Sequence, residues 1–553
     1  MSATIISQDL APMLNAYPDS MGGTLGDIAE LLQRPELKDV FSSFYLLPSV
    51  FHTDLDRGFS VIDYSLNEML AEKEDLQKLA DLGIRLKLDF ILNHASVLSE
   101  QFQDIVKNGE NSEYRDFFID WNKFWDGCGQ MTEQGYIQPE ERYIKDMFFR
   151  KPGLPILMVR FPDGREVPYW NTFYQEVRYP VLDAQDIMGA AGVQYGRAEA
   201  LAKQINAALA AGKRPAEIEL EDAYRADLVE LLERRRTYLG QMDLNIKSPL
   251  VWEFYDNTLK TLADYGAQIV RLDAFAYAPK EPGEKNFLNE PGTWDLLARV
   301  RTLADKYGVA LLPEIHASYA EKIYERIAEA GYMTYDFFLP GLILDAFENG
   351  DGGTLAKWAQ ELAEKGISAV NMLGCHDGIP LLDLKGLIPE ERIKRIIDAV
   401  VARGGYVKDL HGQKNMYYQV NATYFGALGE DEKKLLLARA IQMFMPGKPQ
   451  VWYLDLFAGK NDYEAVKRAG AGGHKEINRR NLTAEQLEEG LRQEVVTKQL
   501  ELLRFRNTSK AFGKGAAFSC ISEGPSLTFT WENEGERAVL NADLTSYEFE
   551  ITR

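Results

Sequence analysis

Short apolar runs rich in β-branched and aromatic residues recur along the chain, and longer segments of mixed polarity separate them. The runs lie at 41–50, 84–92, 268–275, 309–316, 333–340, 368–375 and 449–454. The segments between them, such as 71–83 and 293–308, place apolar residues three or four positions apart, which is the helical period. Strands that alternate with helices predict βαβ units and a parallel sheet, and hence an α/β fold.

Two regions interrupt this alternation. Residues 95–240 show no regular repeat and predict an inserted domain, in which 183–240, rich in Ala, Glu and Arg, predicts two or three surface helices. We interpret these helices as decoration or a subunit contact, with a lid over the active site as the alternative. Polar and apolar residues alternate near the C-terminus, which predicts a small antiparallel β domain. The predicted organisation is a catalytic barrel at 1–94 and 241–490 with a loop subdomain at 378–425, the inserted domain at 95–240, and the β domain at 491–553.

The charge balance excludes one class of partner. The 553 residues include 62 Lys and Arg against 84 Asp and Glu, a formal net charge of -22. This field opposes binding to nucleic acid or to an anionic membrane. It would also repel phosphate, so a site that binds phosphate must supply its own Arg, Lys or backbone donors.

The cysteines and the N-terminal segment predict a cellular compartment. Cys128, Cys375 and Cys520 lie far apart, with no CxxC pair and no Cys/His ligand spacing. This predicts neither a disulfide framework nor a zinc site, and it fits a reducing compartment. The sequence shows no basic region followed by an apolar stretch at its start and no run of about twenty apolar residues. We therefore expect a cytoplasmic protein that does not span a membrane.

Polar residues stand at the carboxyl ends of four predicted strands. They are Asn93 with His94, Arg271 with Asp273, Glu314 with His316, and His376 with Asp377. In a (β/α)8 barrel this end of the strands carries the chemistry, whereas the opposite end carries stability. A single such residue would suit a solvated loop, but four in succession favour one shared site.

Asp273 and Glu314 suit retaining glycoside chemistry. This chemistry needs two carboxyl groups about 5 Å apart, one to attack the anomeric carbon and one to protonate the leaving oxygen. The two residues end neighbouring predicted strands, one βα repeat apart. We expect Arg271, on the same strand face as Asp273, to hold that carboxylate ionised as a nucleophile. We expect desolvation in the apolar stretch LLPEIH to raise the pKa of Glu314 for general-acid work.

Four segments resemble the signature regions of the α-amylase superfamily, glycoside hydrolase family thirteen, in the family's order: DFILNH at 89–94, RLDAF at 271–275, PEIH at 313–316 and CHDGI at 375–379. Others resemble its sucrose phosphorylase subgroup: YPDSMGG at 17–23, DRGFSVIDY at 56–64, NTF at 171–173, QMDLN at 241–245, YDFFLP at 335–340, VNATYFGALG at 420–429, PGKPQVWY at 446–453, AGKNDYEAV at 458–466 and EINRRN at 476–481. The resemblance covers nearly the whole chain except 183–240. It implies a (β/α)8 TIM barrel and a cofactor-free retaining enzyme that converts sucrose and inorganic phosphate to α-D-glucose 1-phosphate and fructose.

The resemblance assigns roles position by position. It implies Asp273 as nucleophile, Glu314 as acid/base and Asp377 as transition-state stabiliser. Asp56 and Arg479 match residues that close the glucose subsite. The other positions that line this pocket in the family correspond to Phe59, His94, Phe173, Gln241, Arg271, Tyr277, His316 and His376.

The acceptor side matches the family less closely. Arg150 and Lys151 match a basic segment of the inserted domain, and Tyr417, Tyr418 and Gln419 lie in a loop that contacts fructose or phosphate in the family. Relatives that cleave sucrose 6'-phosphate carry a His at the position of Tyr418, so its absence favours unphosphorylated sucrose. The alternatives are a phosphorylase of sucrose 6'-phosphate, glucosylglycerate or glucosylglycerol, an α-glucosidase that transfers glucose to water, and a noncatalytic protein.

Two further expectations concern metal ions and assembly. Asn93 matches a calcium ligand of many α-amylases, but no clustered acidic loop requires a calcium site. We predict neither a metal nor a cofactor. The resemblance also implies a homodimer.

Overall fold

The computed structural model describes residues 3–4, 10–150, 153–409, 417–470 and 472–553. The chain divides into two compact units. The barrel unit comprises Met1–Asn93, Trp252–Lys280 and Lys285–Arg553, and the inserted unit comprises His94–Val251 and Glu281–Glu284. None of the helices formed by the described residues has the length and hydropathy needed to cross a membrane.

Eight short parallel strands form the centre of the barrel unit. In chain order they are Met13–Ala16 (β1), Ser43–Leu46 (β2), Arg85–Ile91 (β3), Ala267–Asp273 (β4), Ala310–Pro313 (β5), Thr334–Asp336 (β6), Ala369–Met372 (β7) and Lys448–Trp452 (β8). Their order in the sheet is β5-β4-β3-β2-β1-β8-β7-β6. Because β1 pairs with β8, the sheet curls almost into a closed barrel, with β5 and β6 at its two ends. The predicted barrel fold is confirmed.

The apolar runs located seven of these strands, β2 to β8, and missed β1. All four residues of β1 are buried, so the segment MLNA has no alternation of polar and apolar positions. The register of β3, β4 and β5 matters most for the site. Asp89 pairs with Arg271 between β3 and β4, and Leu272 pairs with Pro313 between β4 and β5.

Helices surround the strands of the barrel unit. Lys73–Asp81 precedes β3 and lies within the predicted segment 71–83, and Gly292–Tyr307 precedes β5 and begins one residue before the predicted segment 293–308. Gly308 ends the second of these helices in the left-handed conformation, at φ 67, which a glycine adopts without strain. The other helices that lie wholly or mostly outside the inserted unit include Leu25–Leu32, Pro249–Asp264, Ile323–Glu329, Leu339–Asn349, Gly353–Glu364, Glu390–Ala402, Tyr424–Ala427, Glu432–Phe444, Tyr453–Leu456, Tyr463–Ala469, Ala484–Leu491 and Glu494–Thr508.

The inserted unit has its own strands, helices and cores. Antiparallel strands pair Ile156–Arg160 with Glu166–Trp170 and Gly129–Met131 with Ile137–Pro139, and a three-stranded sheet joins Gln175–Arg178, Thr237–Asp243 and His94–Ser96. The helices are Glu100–Asn108, Trp121–Phe124, Glu141–Ile144, Ala184–Ala191, Tyr195–Ala210 and Asp222–Arg234. The last three occupy the segment 183–240. Ile187, Leu201 and Leu228 pack between them in a separate hydrophobic core.

A small antiparallel sheet ends the chain. Its strands are Ala517–Glu523, Ser526–Asn533, Glu536–Asp543 and Phe549–Thr552, and Ala3–Thr4 from the start of the chain pairs with the first of them. Alternate residues of the second strand, among them Phe529 and Trp531, are fully buried. The indole N–H of Trp531 donates a 2.8 Å hydrogen bond to the carbonyl of Phe444. The predicted C-terminal β structure is therefore present.

Candidate active site

The strand register brings Asp273 and Glu314 side by side. Asp273 is the last residue of β4, and Glu314 follows the last residue of β5. Since Leu272 pairs with Pro313, the next residues along each strand are neighbours. The backbone N–H of Glu314 donates to the carbonyl of Leu272 at 3.2 Å and continues the ladder by one residue. The expectation that neighbouring strands carry these two carboxyl groups to one place is met.

Arg271 connects the carboxyl groups at the strand ends. Its Nη1 lies 2.8 Å from Oδ1 of Asp273 and 2.6 Å from Oδ1 of Asp89, and its Nη2 lies 3.1 Å from Oε1 of Glu314. The guanidinium is 4% exposed, so its charge acts in a medium with little screening. We call Asp89, Arg271, Asp273 and Glu314 the strand-end cluster. One arginine therefore faces three carboxyl groups.

The charges in this cluster reverse the protonation order expected from the sequence. Burial raises the pKa of Asp273 to about 8, since the attraction of Arg271 is opposed by the charges of Glu314 and Asp89. Burial acts in the same direction on Glu314, but Arg271 and His316 outweigh it and lower the pKa of Glu314 to about 2. These directions are opposite to the expected ionised Asp273 and protonated Glu314. Burial favours the protonated form of Asp273, and Arg271 and His316 favour the ionised form of Glu314.

His316 supplies the second positive charge beside Glu314. Its Nε2 lies 3.5 Å from Oε1 of Glu314, and its Nδ1 lies 3.4 Å from Oδ1 of Asp383. The imidazole stacks on Phe337 with ring centroids 4.0 Å apart. Burial would lower the pKa of His316, but Asp383 and Glu314 overcome it and raise that pKa to about 9. The ring is consequently cationic near neutral pH.

Asp377 lies in a second group of charges carried by loops. Its Oδ1 is 2.6 Å from Nζ of Lys475 and 3.7 Å from Nη2 of Arg479. Asp56 contacts the same two cations, at 3.6 Å from Lys475 and 3.4 Å from Arg479. We call Asp56, Asp377, Lys475 and Arg479 the loop cluster. Burial would raise the pKa of Asp377, but Lys475 and His376 hold it well below its ordinary value, so this carboxylate is ionised.

The loop that carries Asp56 has a strained backbone. Asp56 and Arg57 have φ values of 47 and 49, a region that costs non-glycine residues free energy. Gly58 follows at φ 119, and a Cβ there would lie 2.3 Å from the backbone nitrogen of Ser49. Surrounding contacts must therefore hold this loop, and Arg57 donates to Asp19 at 3.1 Å.

Aromatic rings pack around His376. Phe59 stacks on the imidazole with ring centroids 4.8 Å apart, and Tyr17 meets the imidazole edge to face at 6.5 Å. The guanidinium of Arg271 lies 5.5 Å from the centre of the Phe59 ring. Phe59 thus contacts both Arg271 of the strand-end cluster and His376, the residue that precedes Asp377. Tyr277, another predicted pocket residue of the barrel unit, packs on Phe287 at 4.7 Å.

Four of the predicted site residues that the structure describes lie in the inserted unit. His94 and Phe173 are in ring contact, with centroids 4.8 Å apart, and the guanidinium of Arg150 lies 4.9 Å from the centre of the Phe173 ring. Gln241 is 5% exposed, and its Oε1 accepts a 3.4 Å hydrogen bond from the backbone of Tyr174. The inserted unit therefore brings His94, Phe173 and Arg150 together.

Of the remaining acceptor-side residues, Tyr417, Tyr418 and Gln419 belong to the hairpin of Tyr406–Asp409 and Tyr417–Asn421. Lys151 and the side chains of Tyr417 and Tyr418 are outside the described residues. The backbone of Tyr417 and of Gln419 pairs across this hairpin, and Gln419 is 4% exposed.

The sequence argument missed three charged residues of the site, Asp89, Asp383 and Lys475. Asp89 could have been found, because it lies within DFILNH, four residues before Asn93 on a strand next to that of Arg271. Lys475 directly precedes EINRRN, but no local pattern shows that it meets Asp377. Asp383 is far in sequence from His316, and only the fold joins them.

The described residues also bear on metal binding. No group of three or more His, Cys, Asp or Glu residues suited to a metal occurs within the part of the chain that the structure describes. At Asn93, the position that matches a calcium ligand, Nζ of Lys280 donates to the carboxamide oxygen at 3.1 Å.

Comparison with known proteins adds independent findings. The family model described as "Alpha amylase, catalytic domain" matches residues 15–140. A sucrose 6(F)-phosphate phosphorylase of Ilumatobacter coccineus is 49% identical over 98% of this chain and 95% of its own length. A sucrose phosphorylase of Streptococcus mutans is 30% identical over 90% of this chain and 88% of its own length. The crystal structure of sucrose 6F-phosphate phosphorylase from Thermoanaerobacter thermosaccharolyticum superimposes with a TM-score of 0.80, at 32% identity, over 99% of this chain and 96% of that one.

Proposed function

Because this chain belongs to the sucrose phosphorylase family of the α-amylase superfamily, and is therefore an enzyme, we propose that it transfers a glucosyl unit from an α-glucoside to inorganic phosphate by double displacement. The products would be α-D-glucose 1-phosphate and the released acceptor. The proposal needs neither a metal nor a cofactor.

One observation carries the mechanism: Asp273 and Glu314 share the guanidinium of Arg271 at the ends of adjacent strands. Two carboxyl groups in one small volume are what a retaining glycosyl transfer requires. The third carboxylate, Asp377, is held ionised by Lys475 at 2.6 Å. A negative charge that needs no proton suits the stabilisation of an oxocarbenium-like transition state.

The two steps balance as follows. A carboxylate oxygen of Asp273 attacks carbon one of the glucosyl unit, the bond from that carbon to the leaving oxygen breaks, and Glu314 gives its proton to the leaving oxygen. A phosphate oxygen then attacks carbon one, the ester bond to Asp273 breaks, and Glu314 takes a proton from the incoming phosphate. Two inversions at carbon one keep the α configuration.

The reaction requires one proton on the pair, and it must lie on Glu314. Burial raises the pKa of Asp273, and Arg271 and His316 lower the pKa of Glu314, so this arrangement favours the proton on Asp273. Catalysis needs the opposite placement with the same number of protons. We infer that the donor sugar causes the transfer, because its leaving oxygen can accept a hydrogen bond from Glu314 only when Glu314 is protonated.

Phosphate must reach the glucosyl-enzyme ahead of water, which requires exclusion of water and local positive charge. The net charge of -22 makes that local charge necessary. Arg150, which lies over the Phe173 ring at 4.9 Å, is the described residue that we assign to this task by family resemblance. The other proposed acceptor residues are Lys151, Tyr417, Tyr418 and Gln419.

The relatives and the sequence favour different acceptors. Two relatives named sucrose 6(F)-phosphate phosphorylases, at 49% and 33% identity, favour sucrose 6'-phosphate as the donor. Tyr418, in place of the family's His, favours unphosphorylated sucrose. We propose sucrose 6'-phosphate as the first donor to test, because the 49% relative is matched over nearly its whole length, and sucrose as the second.

The experiment incubates the protein with phosphate and each of sucrose 6'-phosphate, sucrose, glucosylglycerate and glucosylglycerol, and proton NMR follows the anomeric signal. Formation of α-D-glucose 1-phosphate that depends on phosphate supports the proposal, and the ratio of kcat/KM values identifies the acceptor. Free glucose at a rate independent of phosphate would instead identify an α-glucosidase. A β-configured product would contradict double displacement.

A further inference from the structure

Lys475 joins two carboxylates that lie on different loops. It belongs to the short 3-10 helix Gly473–Asn478. Its Nζ lies 2.6 Å from Oδ1 of Asp377 and 3.6 Å from Oδ2 of Asp56. The side chain is 21% exposed, so the ammonium group is largely removed from water.

Arg479 provides a comparison within the same segment. It contacts the same two carboxylates, but its distance to Asp377 is 3.7 Å against 2.6 Å for Lys475. Arg479 has other partners: its Nε donates to the carbonyl of His376 at 2.9 Å, and its Nη1 lies 3.4 Å from Glu476. Lys475 is therefore the closer counter-charge of Asp377.

We infer that Lys475 is a positioning residue of the glucosyl transfer, which keeps Asp377 ionised and fixes its carboxylate relative to Asp56. The inference rests on the proposed function and extends it to a residue outside the family-derived assignments made above. Positive charge develops on the sugar ring in the transition state of a retaining transfer. A carboxylate stabilises that charge only if it is ionised and already oriented.

Several charged groups face Asp377, and their balance explains the need for Lys475. Glu314 repels it from the strand ends, as Asp273 does when it is ionised, and Asp56 shares its two cations, Lys475 and Arg479. His376 Nε2 is 3.3 Å away. It helps to lower the pKa of Asp377 through its charge and its hydrogen bond, but burial lowers the pKa of His376 itself and so weakens the charge contribution as pH rises.

Removal of the Lys475 charge should therefore raise the pKa of Asp377. Arg479 would remain as the main counter-charge, at the longer distance. Lys475 itself stays protonated. Burial alone would lower its pKa, but the charges of Asp377 and Asp56 outweigh burial, so the pKa of Lys475 is raised. An activity that requires an ionised Asp377 would then begin to fail at a higher pH.

The test uses the full-length protein, α-D-glucosyl fluoride as donor and inorganic phosphate, with fluoride release measured across pH. Glucosyl fluoride carries no acceptor sugar, so the result does not depend on which disaccharide the enzyme uses. We expect Lys475→Met to lower kcat/KM about 100-fold, as loss of a preorganised charge does. The acid limb of its pH profile should move up by about one unit or more. Lys475→Arg should restore most of the activity and the original acid limb, because it restores the charge.

The control is Lys467→Met, which removes an exposed lysine from helix Tyr463–Ala469 and should match the wild type. Thermal unfolding of each variant separates loss of activity from loss of fold. A Lys475→Met protein that keeps wild-type activity and an unshifted acid limb would overturn the inference while the proposed function stands. A Lys475→Met protein that unfolds, together with a Lys475→Arg protein that is folded but inactive, would also overturn it. A wild-type protein that neither releases fluoride nor phosphorolyses any glucoside would overturn both.

Discussion

The strand-end cluster and the loop cluster belong to the same unit but combine their charges differently. At the strand ends, one arginine, Arg271, contacts three carboxyl groups within 3.1 Å. In the loops, Lys475 and Arg479 both contact Asp56 and Asp377, and Arg479 also contacts Glu476 at 3.4 Å. The first cluster offers one arginine to three carboxyl groups and favours a protonated Asp273, whereas the second offers two cations to Asp377 and keeps it ionised.

The difference follows from what supports each cluster. The strand-end carboxyl groups are carried by β3, β4 and the end of β5, whose backbone ladders hold like charges together. The loop cluster has no ladder of this kind, and its backbone at Asp56 and Arg57 is strained, so the attraction of opposite charges must help to hold it. The paired strands can hold a protonated carboxyl group for acid–base chemistry. The loop cations keep Asp377 as a fixed negative charge.

The largest expected effect comes from removing the nucleophile that the strand-end cluster provides. Asp273→Asn should lower kcat for phosphorolysis by about 10,000-fold or more, since an amide cannot form the glycosyl ester. Initial-rate assays with the preferred disaccharide measure this loss, and mass spectrometry should detect no glucosyl adduct on the variant. Asp264→Asn, which changes an exposed carboxylate on the helix Pro249–Asp264, should leave the rate unchanged. Residual activity within 10-fold of wild type would remove Asp273 from the nucleophile role, on the scale such losses take.

The next effect separates the acid from the nucleophile inside the same cluster. Glu314→Gln should lower kcat/KM for a disaccharide by about 1,000-fold, because the leaving oxygen no longer receives a proton. Glucosyl fluoride needs no protonation to depart, so its turnover should fall by only about 10-fold. Fluoride release and glucose 1-phosphate formation measure the two rates. Glu329→Gln, at an exposed position, is the control. Equal losses with both substrates would show that Glu314 is not the acid.

The sequence predicted three residues of each cluster, those of the strand-end cluster from the strand pattern and those of the loop cluster largely from family resemblance. Arg271 and Asp273 share a strand and Glu314 ends the next one, so alternation and one βα repeat were enough to bring them together. The protonation order could not be derived in this way, because the charge on His316 depends on Asp383, which only the fold places nearby. Lys475 meets Asp377 through loops that carry no periodic pattern. The barrel was predictable for the same reason as the strand-end cluster, and β1 was missed because its four buried residues have no alternation.

The smallest expected effect is on stability, and it should have opposite signs in the two clusters. The pKa of Asp273 is raised to about 8, so folding favours its protonated form. The contribution of this carboxyl group to the free energy of unfolding is therefore fully present at acidic pH and is lost as pH rises towards 8. The pKa of Asp377 is lowered, so its stabilisation is present near neutral pH and lost in acid. Near neutral pH, Asp273→Asn should therefore increase the free energy of unfolding and Asp377→Asn should decrease it, each by about 1–3 kcal/mol.

Thermal unfolding of both variants and of Asp264→Asn, across pH from acid to slightly alkaline, measures these effects. The advantage of Asp273→Asn should shrink as pH falls, because the carboxyl is then protonated in the unfolded wild-type chain as well, and folding no longer has to take up a proton there. The deficit of Asp377→Asn should shrink in acid as well, because the wild-type carboxylate is then neutralised. Shifts of the same sign near neutral pH would mean that both clusters hold their carboxylates under the same electrostatic balance. In that case the ratio of cations to carboxylates would not explain where the proton resides.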